Sequence, residues 1–355
     1  MNGRILQSDY MHWAKNQRPV TYALSSSEVA HFPLDRLSIS IADLELTGAS
    51  HYRYRPLREA IGAKHGVPAD WVVAADGTSM ANMLAMAALV GPGDELLIEQ
   101  PTYEPLLGVA RFLGADVKRF RRRPETGFAL DPDEVGRAVT PATKLIVLTN
   151  LHNPSGALAD EAALRAIGSL GPRVLVDEVY LDAAAQPTRS CVRLGDRFVA
   201  TGSLTKVYGL SGLRCGWILA EPDLAERIQR LNELFGVAQA HADERLGCIA
   251  LANLDRISKG THDLLARNRA LVNAFLASRP ELDCAPLTGG ITAFPRLLHG
   301  DPEVLDDLLR TKYDASIVPG RWFEMPDHFR LGYGGPTPTI EEGLARLGSA
   351  LDEFK

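Results

Sequence analysis

The chain has 355 residues, 46% hydrophobic and 23% charged, with a net charge of -6 at neutral pH. This composition excludes a disordered chain, and the length exceeds what one core usually supports, so one large and one smaller domain are expected. No basic footprint for nucleic acid or an anionic membrane is present: the one basic cluster, Lys118 to Arg123, reads as a solvated strand end.

Four scattered cysteines, Cys191, Cys215, Cys248 and Cys284, show no C-x-x-C spacing, so neither a zinc site nor a disulfide framework is expected. Asp9, His12 and Trp13 interrupt any leader-like apolar run, and no stretch reaches membrane-spanning length, which points to a cytoplasmic protein.

In chain order, residues 1–42 carry no clean period and read as an arm, with a helical turn at Met11–Lys15 and a short strand at Val20–Leu24. His51 to Ile61 places Leu57 and Ile61 on one helix face. From Trp71 the pattern becomes regular: strand Val72–Ala75, turn Asp76-Gly77-Thr78-Ser79, helix Met80–Leu89. A helix N-terminus behind a small-residue turn offers free N–H groups and the positive dipole end, so Gly77, Thr78 and Ser79 are a candidate phosphate site; a simple cap is the plainer alternative.

Strand Glu95–Glu99 ends in P-T-Y before helix Glu104–Leu113, which puts Tyr103 where it can lie against a flat ring, or serve only as a rim tyrosine. Strand Val117–Phe120, a helix near Pro132–Val139 and the continuously apolar strand Leu145–Thr149 lead to the turn Asn150-Leu151-His152-Asn153-Pro154-Ser155-Gly156. Helix Asp160–Ile167 and strand Val174–Val176 follow, ending in Asp177-Glu178-Val179-Tyr180.

Strands Phe198–Thr201 and Trp217–Ala220 bracket a loop that carries Lys206. Ser203 and Arg214 supply a hydroxyl and a guanidinium, the groups that hold a phosphate beside a Schiff-base amine. Beyond it, helices from Asp223 to about Phe235 and Glu244–Leu251 lead to an α+β region: helix Ser258–Ser278, strands near Ile291–Leu297, Ala315–Val318 and Phe329–Tyr333, and a last helix Thr339–Phe354. The expected organisation is an arm (1–42), a large domain (43–250) and a small C-terminal domain (251–355).

The pattern S-x-x-K-x(7)-R-x-G of Ser203, Lys206, Arg214 and Gly216 resembles the lysine region of the fold type I pyridoxal-phosphate enzymes of the class I/II aminotransferase family. S-x-x-K also opens the site of penicillin-binding proteins, but their S-D-N and K-T-G companions are absent. The resemblance implies an α/β fold, with a mostly parallel sheet covered on both faces and a smaller α+β domain. It implies pyridoxal 5'-phosphate on Lys206, with Tyr103 stacked on the ring and Asn153 and Tyr180 at the ring oxygen. Asp177 would stand at the ring nitrogen, and Arg330, with Asn153, at the substrate carboxylate. In such enzymes Tyr52 or Tyr54 would reach the cofactor of a second subunit in a homodimer.

The family's L-x-x-G-x-P turn is replaced by Leu24–Val29, with Ser25, Ser26 and Ser27 and neither Gly nor Pro. Trp13, Arg18, Ser25 to Ser27 and Arg321 are candidate specificity residues. The expected reaction is amino transfer between an L-amino acid and a 2-oxo acid. The same machinery also serves lyases, decarboxylases, racemases, oxidases and cyclases, and a non-catalytic binding module is the remote alternative.

Overall fold

The computed structural model describes residues 7–47 and 51–354. The first six residues of the expected arm, 48–50 of the expected large domain and the last residue lie outside them.

Helix α1 (Asp9–Asn16) is capped by Ser8, whose hydroxyl accepts from the Met11 N–H, and the arm then forms strand β1 (Tyr22–Ala23). Helix α2 (Arg55–His65) ends on Gly66 in the left-handed conformation and buries Leu57 and Ile61. An α/β alternation follows: β2 (Val72–Asp76), α3 (Gly77–Leu89), β3 (Glu95–Gln100), α4 (Glu104–Phe112), β4 (Asp116–Arg121), α5 (Pro132–Ala138), β5 (Thr143–Thr149), α6 (Glu161–Gly168), β6 (Arg173–Asp177), β7 (Phe198–Ser203) and β8 (Cys215–Leu219). The expected turn before α3 is itself the first helical turn, which begins at Gly77 instead of Met80.

These strands form a seven-stranded sheet in the order β2-β8-β7-β6-β5-β3-β4, in which β8 alone runs antiparallel to its neighbours. Alternate side chains of a strand face opposite sides, and here both sides are covered. Val73, Leu96, Val147, Leu175 and Val199 pack against α3, α4 and the following α7 (Pro222–Asn232). Val72, Leu97, Ile146, Val174 and Phe198 share the other core with α2, α5 and α6. Burial on both faces explains why these strands read as continuous apolar runs rather than alternating ones.

Helices α8 (His241–Ala252), α9 (Leu254–Ile257) and α10 (Thr261–Ala277) lead to small strands: β9 (Leu282–Asp283), β10 (Thr292–Ala293) and β11 (Arg296–Leu297). Helix α11 (Pro302–Lys312), β12 (Ala315–Ser316), β13 (Val318–Pro319), β14 (Phe329–Gly332) and α12 (Thr337–Glu353) complete the chain. The expected strands at Ile291–Leu297 and Ala315–Val318 are each split in two. Helix α11 was not anticipated, although Asp301 caps it and Pro302 opens it, both ordinary start signals. Strand β1 pairs in parallel with β12, which ties the arm to the C-terminal region. All four cysteines are free, and among the described residues no helix is long and apolar enough to cross a membrane.

The topology sets where chemistry gathers. Strands β2, β5, β6 and β7 are parallel and end at Asp76, Thr149, Asp177 and Ser203, on one edge of the sheet; β8, reversed, starts at that edge just after Arg214. The carboxyl edge of such a sheet is where ligands bind.

Candidate active site

A cavity of 720 Å³ opens at this edge. Its floor at one end is built for an anion. Helix α3 starts there with no side-chain capping bond from Asp76, which leaves first-turn N–H groups and the dipole end facing the site. Thr78, Ser79, Thr205 and Arg214 line it. The Arg214 guanidinium donates to the Asp76 carbonyl (3.2 Å) and lies over Gly77, where a Cβ would come within 2.3 Å of its Nη2. Gly216 is needed for a second close approach: a Cβ there would stand 2.5 Å from the Gly77 carbonyl carbon. The glycines thus seat β8 directly against the start of α3.

Ser203 does not line the cavity. It is buried behind the wall, accepting from the Thr78 hydroxyl (2.8 Å) and sharing a hydrogen bond with the Thr205 hydroxyl (2.7 Å). Thr205, which sequence reading passed over, holds the lining position.

Beside this floor stands Lys206. Its Nζ lies 3.6 Å from the Glu28 carboxylate, which also accepts from the Ser211 hydroxyl. Asp177, at the end of β6, is buried with two neutral partners, the Asn82 amide (2.7 Å) and the Val179 N–H (3.0 Å). Burial pushes its carboxyl up to about 6, against the pull of those hydrogen bonds and of Lys206. Such a carboxyl is matched to a cationic group that enters the cavity. Asn82 is fixed in turn by the Thr201 hydroxyl (2.6 Å). Its one legible signal was that of an amide inside an otherwise apolar stretch of α3. Tyr180 hydrogen-bonds Ser27 and is pushed up to about 12 by burial; Tyr103, at the start of α4, is raised by burial too.

The opposite wall carries Arg330 on β14, 2% exposed. Its guanidinium donates to Asn153 Oδ1 (3.0 Å), Tyr10 Oη (3.1 Å) and the Ser25 carbonyl (3.4 Å), all neutral, and its buried Nε–H has no partner. Asn153 is held from below. Its N–H donates to the Thr149 hydroxyl, which donates to Glu99, and Glu99 forms a fully buried ion pair with Arg122 at 2.9 Å.

Trp13, Arg18 and Ser25 to Ser27 line the cavity. Arg321 does not: it pairs with Glu303 and lies over the Trp322 ring. Tyr52 is not brought to this chain's cavity either, being 54% exposed and donating to Glu233. Tyr54 accepts from Arg245 and packs against His241. Glu45, His51 and His241 bring metal-type ligand atoms within 4.8 Å of one another, away from the cavity lining, and Arg245 already engages Glu45.

The floor fits a phosphate, the buried Asp177 fits a protonated ring nitrogen, and an amine stands between them. The model of the family "Aminotransferase class I and II" matches residues 29–347. The chain belongs to this family. Its cofactor is pyridoxal phosphate, and its fold is that of the fold type I transferases. The chain is 34% identical over 312 residues to a capreomycidine synthase of Streptomyces vinaceus, covering 83% of this chain and 78% of the relative. It is 28% identical to the arginine–pyruvate transaminase AruH of Pseudomonas aeruginosa, covering 88% and 85%. Among solved structures, a pyridoxal-phosphate-dependent aminotransferase of Streptococcus suis superposes with a TM-score of 0.91 at 23% identity over 99% of both chains. The pyridoxal-phosphate-dependent cyclase OrfR superposes with a TM-score of 0.86 at 26% identity over 99% of this chain and 98% of its own.

Proposed function

We propose that the protein is an aminotransferase that takes the amino group from an L-amino acid and passes it to a 2-oxo acid, with Lys206 as the residue that carries cofactor and proton. The observation behind this reading is that an amine, a buried carboxyl and a buried guanidinium without an acidic partner among the described residues, Lys206, Asp177 and Arg330, line one cavity. When bound, pyridoxal phosphate supplies a ring that withdraws electrons from the substrate's alpha carbon. Arg214, Thr78, Ser79, Thr205 and the N–H groups at Gly77 would hold its phosphate, and Asp177 its ring nitrogen. Tyr103 would flank the ring, while Asn153 and Tyr180 stand at its oxygen.

Arg330 grips the alpha-carboxylate, which fixes the alpha carbon within reach of Lys206. The Lys206 amine would then take the alpha proton and deliver it across the amino nitrogen, to the carbon the cofactor supplies. A homodimer is part of this reading. Ile41, Leu46, Tyr52, Leu234, Phe235 and Val237 are large apolar or aromatic side chains left exposed in two neighbouring segments linked by the Tyr52–Glu233 bond, and a second copy would cover them.

The specific observation favouring a second reading, cyclisation of the amino acid, is the likeness to two proteins named as a synthase and a cyclase. One experiment separates the two. The cofactor-loaded protein is incubated with single amino acids and no oxo acid, and products are identified by mass. Transamination releases one 2-oxo acid per site and then stalls until an oxo acid is added. Cyclisation continues without one and keeps the alpha nitrogen in the product. Absence of both products across all proteinogenic amino acids would overturn both readings.

A further inference from the structure

Tyr10 belongs to α1 in the arm and is 320 residues from Arg330 in sequence, yet its hydroxyl sits 3.1 Å from the Arg330 Nη2. The tyrosine is 6% exposed and lines the cavity. Its ring is fixed on several sides: edge-on to Tyr103 (5.9 Å, 82°), stacked with Trp13 (6.2 Å), and tilted against Trp322 and Phe323 (both 5.9 Å). Helix α1 is itself pinned to the start of α4, since the Ser8 hydroxyl donates to Glu104 and the Tyr103 hydroxyl donates to the Met11 sulfur.

The hydrogen-bond inventory around this pair is incomplete in one direction. Among the described residues the Tyr10 hydroxyl accepts from Arg330, but nothing accepts its own proton. Arg330 lines the same cavity, and no carboxylate of the described chain bonds it. An unspent hydroxyl donor beside such a guanidinium suits an anion that enters the cavity.

We infer that Tyr10 is a second substrate-carboxylate ligand, donating its hydroxyl proton to the anion that Arg330 grips. The inference rests on the reading of Arg330 given above and adds a residue and a consequence. Because Tyr10 is carried by α1, docking of the carboxylate fastens the arm helix over the cavity.

Tyr10→Phe keeps the ring and its aromatic neighbours and removes the hydroxyl, both its free proton and its bond from Arg330. The probe is 3-phenylpropionate, a carboxylate without an amine, titrated into the cofactor-loaded protein and followed by tryptophan fluorescence, since Trp13 and Trp322 adjoin the Tyr10 ring. A hydrogen bond to a charged group predicts affinity weakened by about tenfold or more in the variant. KM for amino acids should rise by a similar factor, and 3-phenylpropylamine, which lacks the carboxylate, is titrated in the same way so that a loss specific to the carboxylate can be read. Arg330→Lys is run in parallel. Weakened binding in Arg330→Lys with unchanged binding in Tyr10→Phe overturns this inference alone. Unchanged binding in both overturns the carboxylate reading of Arg330 together with it. An equal loss of binding for 3-phenylpropionate and 3-phenylpropylamine in Tyr10→Phe assigns Tyr10 to packing and also overturns the proposal.

Discussion

The floor of the cavity and its far wall are built in different ways. Every floor residue sits within a few positions of a sheet strand: Gly77 to Ser79 after β2, Asp177 at the end of β6, Thr205 and Lys206 after β7, Arg214 before β8. The wall is made of pieces remote in sequence, Tyr10 and Ser25 from the arm and Arg330 from β14. The sheet imposes the floor, because parallel strands of matched length deliver their ends to one edge. Nothing local imposes the wall. If, as proposed, the floor holds the cofactor and the wall the substrate, the two should fail separately when broken.

The largest break is Lys206→Ala. Loss of the amine should lower turnover by about 10⁴-fold or more, while equilibrium dialysis still finds cofactor on the phosphate floor. Turnover at the wild-type rate would falsify the assignment of Lys206.

Next is the seam between the two units, the buried Glu99–Arg122 pair beneath Thr149 and Asn153. Burial pushes the Glu99 carboxyl up, against the pull of Arg122. Glu99→Gln leaves a buried guanidinium unpaired, and stability measured by denaturant should fall by about 3–5 kcal/mol. A shift under 1 kcal/mol would show that the pair does not brace the seam.

Asp177→Asn sharpens the picture of the floor. The folded acid titrates at about 6 against a reference of 3.8, so it binds its proton more tightly folded than unfolded. The cofactor-free protein accordingly loses stability as pH rises from about 4 to about 6, by about 3 kcal/mol at 1.36 kcal/mol per unit, and stays lower above that window. The asparagine variant lacks this loss. Without cofactor it should be more stable than wild type at pH 8 and no more stable at pH 4, while its activity falls. Parallel pH–stability curves for the two proteins would refute a strained Asp177.

The smallest effects form a crossed pair. Arg214→Gln should weaken cofactor binding by about 10- to 100-fold and leave binding of a free carboxylate nearly unchanged. Arg330→Lys should do the reverse. Equal losses in both assays would mean that floor and wall are one unit.

This division also explains what was legible in the sequence. The strands of the large sheet were placed to within a residue or two: burial on both faces writes the inner ones as unbroken apolar runs, while the edge strand β4 alternates. The small strands were not, since pairs such as Thr292–Ala293 and Val318–Pro319 are too short to carry a period. In the site, motif spacing led to Lys206, Asp177, Arg214, Asn153 and Arg330, all of which meet at one cavity. Sequence spacing does not say which of two hydroxyls, Ser203 or Thr205, faces the cavity; Thr205 does, with Ser203 bonded behind it. Tyr10, Glu28 and Thr149 left no signal, since their importance lies in contacts with residues far along the chain.

The arm is laced to the lysine loop by backbone bonds, Val29 N–H to the Lys206 carbonyl and Phe32 N–H to the Gly209 carbonyl, and Tyr10 spans 320 residues to Arg330. Such contacts demand closure of very long loops, so they form late. On the ribosome the strands up to β8 emerge well before β14, and domains there fold largely in order of emergence. The edge where β2, β5, β6 and β7 end is therefore complete in the growing chain before β14 emerges, and the bond from Arg330 to Tyr10 closes only afterwards.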